Sequence, residues 1–243
     1  MKFVSAAVVA MAGSAAAFAP ASSAPKSTAL NADPMPERLW NTMVDKNERS
    51  RAVPFLPRAA PLDGTSPGDQ GFDPFYLSAI PKNFAGFLQP PSWEETKGID
   101  TLYWMREAEL KNGRVAMMAW AGWVATDLGL RFPGEIYQNI PSAYNAHDIL
   151  VEQGSMTFLL LVVGFIEFCT GSVLVEVSKG ENDREPGDYK FDPLKFIEGK
   201  SEEEIFTMKT KEVNNGRLAM LAFGGVATQS ALGDAYHSFP YIG

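Results

Sequence analysis

The chain is expected to be an all-α membrane protein with three transmembrane helices, the first and third related by internal duplication and crossing about a pseudo-twofold axis. Three observations predict this. Apolar segments occur at 115–132, 156–177 and 218–232. A charged motif, Glu-x-x-Asn-Gly-Arg-x-Ala-Met, opens the first and third of them. Basic residues gather on one side of the middle segment: seven Lys or Arg lie within 179–211, one within 131–152 and none after Leu232. With three antiparallel spans the basic loop shares a side with the N-terminus, which is the charge asymmetry of inserted proteins.

A soluble helical bundle is the competing architecture, and near-neutral hydropathy and a short third run fit it. The middle segment has about the ~20 residues a bilayer crossing needs. It is apolar on nearly every face, with Glu167 interrupting it, which favours the membrane.

Composition narrows function. The 243 residues are 46% hydrophobic and carry a net charge of -8, which argues against disorder and against a nucleic-acid partner. The lone Cys169 allows neither an internal disulfide nor a Cys-x-x-Cys pair. The two histidines, His147 and His237, match no zinc motif, and no GxGxxG or Walker sequence occurs. These common enzyme signatures are absent, so the informative features lie elsewhere.

Residues 1–17 combine Lys2, a short apolar run and small residues, as a signal peptide does. Residues 18–31 are rich in Ala and Ser, with one Lys and no acid, which is transit-segment composition. A signal joined to a transit segment through Ala-Phe-Ala-Pro resembles the bipartite leaders of algae with complex plastids of red-algal origin. The remaining expectations are an N-terminal stromal region at 32–100, a first span at 101–131 and a lumenal loop at 132–149. A second span at 150–178, a stromal loop at 179–204, a third span at 205–233 and a lumenal C-terminus at 234–243 follow.

The repeat is long-range. Phe72-Asp73-Pro74 precedes Glu109-Leu110-Lys111-Asn112-Gly113-Arg114-Val115-Ala116-Met117, and Phe191-Asp192-Pro193 precedes Glu212-Val213-Asn214-Asn215-Gly216-Arg217-Leu218-Ala219-Met220. Ionisable groups inside membrane helices are costly and mark function. Five residues turn an α-helix by ~500°, so Glu109 and Arg114 do not meet within one helix. Crossed pairing, Glu109 with Arg217 and Glu212 with Arg114, cancels four charges. Gly113, Ala116, Gly216 and Ala219 let the helices approach.

Asn112 shares a helix face with Glu109, Asn215 with Glu212, and Gln229 with Asn215. Such oxygens on apolar helices suit a hard cation, and magnesium fits. They are too scattered to cage a bare ion. A magnesium already held in a flat macrocycle needs only one axial oxygen, neutral or charge-cancelled.

These residues resemble the light-harvesting chlorophyll-binding superfamily, in particular its chlorophyll a/c (fucoxanthin-chlorophyll) branch of red-lineage photosystem I antennae. The segment Pro54-Phe55-Leu56-Pro57-Arg58 with Pro67-Gly68-Asp69 carries the photosystem I likeness. The resemblance implies that Glu109, Asn112, Glu167, Glu212, Asn215 and Gln229 are axial ligands to chlorophyll magnesium. It implies that Arg114 and Arg217 bridge the opposite glutamates, and that the Asp73 and Asp192 loops hold the end rings of two carotenoids. It implies chlorophyll a, chlorophyll c and xanthophylls of the fucoxanthin or diadinoxanthin type, a plastid thylakoid location among membrane lipids, and partners in the photosystem I core and neighbouring antenna subunits. A photoprotective quencher of the same fold is the alternative role. Where plant relatives carry a Gln eight residues before the middle-helix Glu, this chain has Leu159. His237 lies closer to Gln229 than the family's C-terminal His, and His147 is read as a loop residue.

Overall fold

The computed structural model describes residues 41–80 and 99–232. The leader, the segment with Trp93, and the C-terminal stretch with His237 lie outside the described residues.

The N-terminal region forms a two-stranded antiparallel hairpin, β1 (Val44–Arg49) and β2 (Pro57–Ala59). It corrects the all-α expectation. Asp45 pairs with Arg58 in register, and their side chains form an ion pair at 2.8 Å. The charges and prolines here give no apolar alternation, so the sequence carried no strand signal. Ser50 Oγ donates to the Gly71 carbonyl at 2.5 Å, which joins the hairpin to the first Phe-Asp-Pro loop. Thr101 Oγ1 then donates to the Ile80 carbonyl at 2.8 Å at the start of the first long helix.

That helix, α1, runs Thr101–Asp127. Asp100 caps it, accepting from the Tyr103 amide at 2.6 Å, and Met, Glu, Ala, Leu and Lys favour its helical state. It stops short of the expected residue 131. Two short helices follow, α2 (Glu135–Gln138) and α3 (Ala143–Glu152), where a loop was expected. Asp127 Oδ1 accepts from the Ala143 amide at 2.7 Å, which ties the end of α1 to the start of α3.

The middle helix α4 spans Ser155–Lys179 rather than 150–178, because the chain turns at residues 153 and 154. Among the described residues it alone is long and apolar enough by composition to cross a membrane. No residue of its most apolar 18-residue stretch is buried, unlike the core helix of a soluble bundle. The last helix, α5, is Glu202–Leu232 and begins earlier than expected. The reason is a capping box: the Glu204 amide donates to Ser201 Oγ at 3.3 Å, and the Ser201 amide donates to Glu204 Oε2 at 2.9 Å.

The packed centre lies where α1 crosses α5. Gly113 and Gly216 face each other so closely that a Cβ on Gly113 would stand 3.1 Å from the Gly216 Cα, and a Cβ on Gly216 would stand 3.0 Å from the Gly113 Cα. Ala116, Val213, Ala219 and Val226 are buried around that contact.

Gly216→Leu should force the helices apart and cost about 1–3 kcal/mol, the usual penalty of overpacking. Thermal denaturation of the pigment-loaded protein checks this, with Gly122→Ala as control, because nothing lies within 4 Å of a Cβ at Gly122. An unchanged melting temperature for Gly216→Leu would contradict the close crossing.

Candidate functional site

The glycine contact sets the charges. It brings Glu109 on α1 opposite Arg217 on α5, where Nε donates to Oε1 at 2.7 Å. It brings Glu212 opposite Arg114 in the same geometry, also at 2.7 Å. Each guanidinium has a second task. Arg217 Nη1 donates to the Gly68 carbonyl at 2.8 Å, and Arg114 Nη1 donates to the Gly187 carbonyl at 2.7 Å. A planar fork of donors can hold a carboxylate and a carbonyl together, which an ammonium cannot do with fixed geometry. Both glycines take positive φ, +71° and +76°, and side chains there would run into Val213 and Leu110 respectively.

The two halves are not identical. Glu109 Oε2 also accepts from Arg106 Nη1 at 3.0 Å, so both its oxygens are engaged. Glu212 is paired through Oε1, and no described residue donates to its Oε2.

A groove of about 900 Å³ lies along the crossing. Glu109, Asn112 and Arg217 line it beside Met105, Phe223 and the first Phe-Asp-Pro loop, including Phe72 and Asp73. Asn112 Nδ2 donates to the Ala108 carbonyl at 2.8 Å, one turn back on the same helix. That bond uses one amide hydrogen and leaves Oδ1 as the acceptor on an exposed side chain. Asn215 and Gln229 are exposed on α5, away from this groove, and no described residue bonds their side chains. Glu167 sits on α4, where Lys111 Nζ donates to its Oε2 at 2.6 Å.

This donor set fits chlorophyll. It offers single neutral amide oxygens and carboxylates whose charge a cation already cancels, on apolar helix surfaces. A metal neutralised by its macrocycle takes one such oxygen. Asp73 and Asp192 act on the backbone of their own loops. Their carboxylates accept from backbone amides of Leu77 and Ser78, and of Phe196 and Ile197, and so fix the two turns. Those backbone donors hold the Asp192 carboxyl below its usual range. His147 is exposed and pairs with Asp148 at 3.0 Å. Trp123 packs edge-on against Phe223, with ring centroids 5.8 Å apart.

One cluster escaped the sequence reading. Glu107 and Arg184 form an ion pair at 3.2 Å, with each side chain 3% exposed. Glu107 also accepts from the Gly187 amide at 2.6 Å and from the Tyr189 hydroxyl. The Arg184 guanidinium stacks on the Tyr189 ring at 4.5 Å. Burial, then the hydrogen bond to Glu107, pushes the Tyr189 phenol up to about 12. Gly187 is thereby gripped twice, by Glu107 through its amide and by Arg114 through its carbonyl. The signal was present: Pro67-Gly68-Asp69 recurs as Pro186-Gly187-Asp188, five residues ahead of each Phe-Asp-Pro.

Comparison with known proteins identifies the family. The family described as Chlorophyll A-B binding protein matches residues 58–231, well over half of the chain. Light-harvesting complex stress-related protein 3.2, chloroplastic, of Chlamydomonas reinhardtii is 34% identical over 163 residues, 63% of this chain and 62% of that protein. Chlorophyll a-b binding protein 1, chloroplastic, of Prasiola crispa is 33% identical over 72% of this chain and 53% of its own length. Photosystem I chlorophyll a/b-binding protein 3-1, chloroplastic, of Arabidopsis thaliana is 32% identical over 69% of this chain and 65% of its own length. The match thus spans less than two thirds of each of these relatives. A matched family profile over the region holding the crossed pairs, the groove and both glycine loops leaves one assignment: the chain belongs to the chlorophyll a-b binding protein family, a family of helical membrane proteins.

Proposed function

We propose that the protein is a light-harvesting antenna of the red-lineage photosystem I type. Its family binds pigments and is non-enzymatic, and the protein is a chloroplast protein of the thylakoid membrane. In this reading α1, α4 and α5 all span the membrane, and α1 and α5 descend from one duplicated unit. The stretches 32–100 and 179–204 face the stroma, and 132–149 and 234–243 face the lumen. Residues 1–17 and 18–31 are the signal and transit parts of the leader. The pigments are chlorophyll a, chlorophyll c and fucoxanthin- or diadinoxanthin-type xanthophylls. The partners are thylakoid lipids, the photosystem I core and neighbouring antenna subunits.

The single observation that carries the reading is the pair of charge-cancelled glutamates at the helix crossing, each 2.7 Å from an arginine of the opposite helix. Bound chlorophyll supplies the absorption and the excited state. The chain supplies position. Asn112, Asn215 and Gln229 offer neutral oxygens, and Glu109, Glu212 and Glu167 offer carboxylates neutralised by Arg217, Arg114 and Lys111. The turns fixed by Asp73 and Asp192 frame the seats for carotenoid end rings. Two rigid helices locked at one point then hold the rings at set distances and orientations, which energy transfer requires.

The relative named for photosystem I supports the harvesting role. The stress-related relatives favour a second reading, a photoprotective quencher on the same scaffold.

Two measurements test the proposal. The native protein, purified in mild detergent, should migrate with photosystem I and show chlorophyll c absorption without chlorophyll b. Recovery free of photosystem I, with a short fluorescence lifetime, would support the quencher instead. Arg217→Leu should leave Glu109 with Arg106 as its remaining cation, at 3.0 Å, and cut the yield of pigment-loaded protein severalfold. Adding Glu109→Gln should restore much of it, since the charge is gone and an oxygen remains. A double variant that reconstitutes no better than Arg217→Leu would refute the charge-cancelled ligand.

A further inference from the structure

We propose that Glu107 is the positioning residue of the second carotenoid seat: by gripping Gly187 and Tyr189 it holds Lys190 in a left-handed backbone and so sets the direction in which the chain enters the Asp192 turn. The proposal rests on the reading of the two Phe-Asp-Pro turns as seats for carotenoid end rings.

The two loops correspond residue by residue. Pro67-Gly68-Asp69-Gln70-Gly71-Phe72-Asp73-Pro74 aligns with Pro186-Gly187-Asp188-Tyr189-Lys190-Phe191-Asp192-Pro193. Their backbones correspond as well. Gly68 and Gly187 take φ of +71° and +76°. Three residues on, Gly71 takes +68° and Lys190, at the same place, takes +54°. Asp69 Oδ1 accepts from the Gly71 amide at 2.7 Å, and Asp188 Oδ1 accepts from the Lys190 amide at 2.9 Å. Glycine adopts this conformation freely. A residue with a Cβ does so at a cost, and persists there only where its surroundings over-determine it.

The surroundings differ between the copies. The first loop is held from the hairpin, where Ser50 Oγ donates to the Gly71 carbonyl at 2.5 Å. The second is held from α1. Glu107 accepts from the Gly187 amide at 2.6 Å and from the hydroxyl of Tyr189, the residue just before Lys190. Arg184 closes the latch from the other side. It pairs with Glu107 at 3.2 Å, donates to the Asp188 carbonyl at 3.3 Å and stacks on the Tyr189 ring at 4.5 Å. Glu107 and Arg184 are both buried, so water does not compete for these bonds. Thr210 stands at the counterpart of Glu107 and Gln70 at that of Tyr189. The latch therefore occurs in the copy that has lysine where the other has glycine. Two residues beyond Lys190, Asp192 accepts from the Phe196 and Ile197 amides and closes the turn, with Phe191 and Leu194 facing outward.

The test is reconstitution of the full chain with chlorophyll and carotenoid. The readouts are carotenoid per chain and the visible circular dichroism of the bound pigments. Glu107→Leu with Arg184→Met removes the latch without stranding a buried charge. This variant should assemble, lose one of the two carotenoids and lose that pigment's share of the dichroism. Glu107→Gln with Arg184→Met keeps an oxygen for the Gly187 amide and should keep both carotenoids. Adding Lys190→Gly to the leucine variant should regain the lost carotenoid, because glycine takes the left-handed backbone unaided. Both carotenoids kept in the leucine variant would overturn the proposal. So would equal loss from the glutamine and leucine variants, or a loss that Lys190→Gly does not relieve. A leucine variant that fails to assemble also overturns it, since the cluster is then a general requirement of the fold. Asp192→Ala separates the two readings. If it keeps both carotenoids, the seat reading fails and the proposal with it. If it loses one while the leucine variant keeps both, the latch alone fails.

Discussion

Charge on an apolar helix must be cancelled where it stands, and the crossed Glu–Arg pairs meet that constraint. The rest of the molecule is arranged around them. Gly113 and Gly216 bring the two backbones close enough for each guanidinium to reach the opposite carboxylate. The remaining donors of Arg114 and Arg217 pull the Gly187 and Gly68 loops onto the same point. Those loops run into turns fixed by Asp192 and Asp73, and the groove lies between one of them and α1. Loss of Arg114 would therefore unpair Glu212 and release the Gly187 loop together.

The centre of the fold was legible in sequence because it is written in spacing. Glu and Arg five residues apart cannot pair on one helix, and a second copy of the motif supplies the missing partner. Asn112, Asn215 and Gln229 stood out as amides among apolar residues. Glu107 did not stand out. A single glutamate near the start of a helix reads as a solvated charge, and its partners Arg184 and Tyr189 lie 77 and 82 residues away. Only the repeated Pro-Gly-Asp pointed to that loop. The hairpin was hidden for another reason: its strands are polar, and an ion pair between Asp45 and Arg58 replaces the alternation that normally reveals a strand. Helix ends were misplaced where local chemistry decided them, at the Ser201–Glu204 capping box and at the turn before Ser155.

The differences between the two motif copies are as informative as their likeness. Lys111 faces Glu167 on α4, and its counterpart is Asn214. Glu107 anchors Arg184, Tyr189 and Gly187, and its counterpart in the second copy is Thr210. Arg106 adds a second donor to Glu109, while its counterpart Lys209 turns to Glu185 at 2.5 Å. The motif centre stays constant because both halves share the crossing. The flanks differ because each half meets different neighbours, which gives chemically distinct surroundings to the same residue types.

The most direct test of the central claim is an experimental density map of the pigment-loaded protein. The account predicts that Glu109 and Glu212 each touch an arginine of the opposite helix and a chlorophyll magnesium at once, with another magnesium on Asn112 Oδ1. A map in which the Glu–Arg pairs persist but no magnesium approaches either carboxylate, or in which the pairs are broken where chlorophyll is bound, would contradict it.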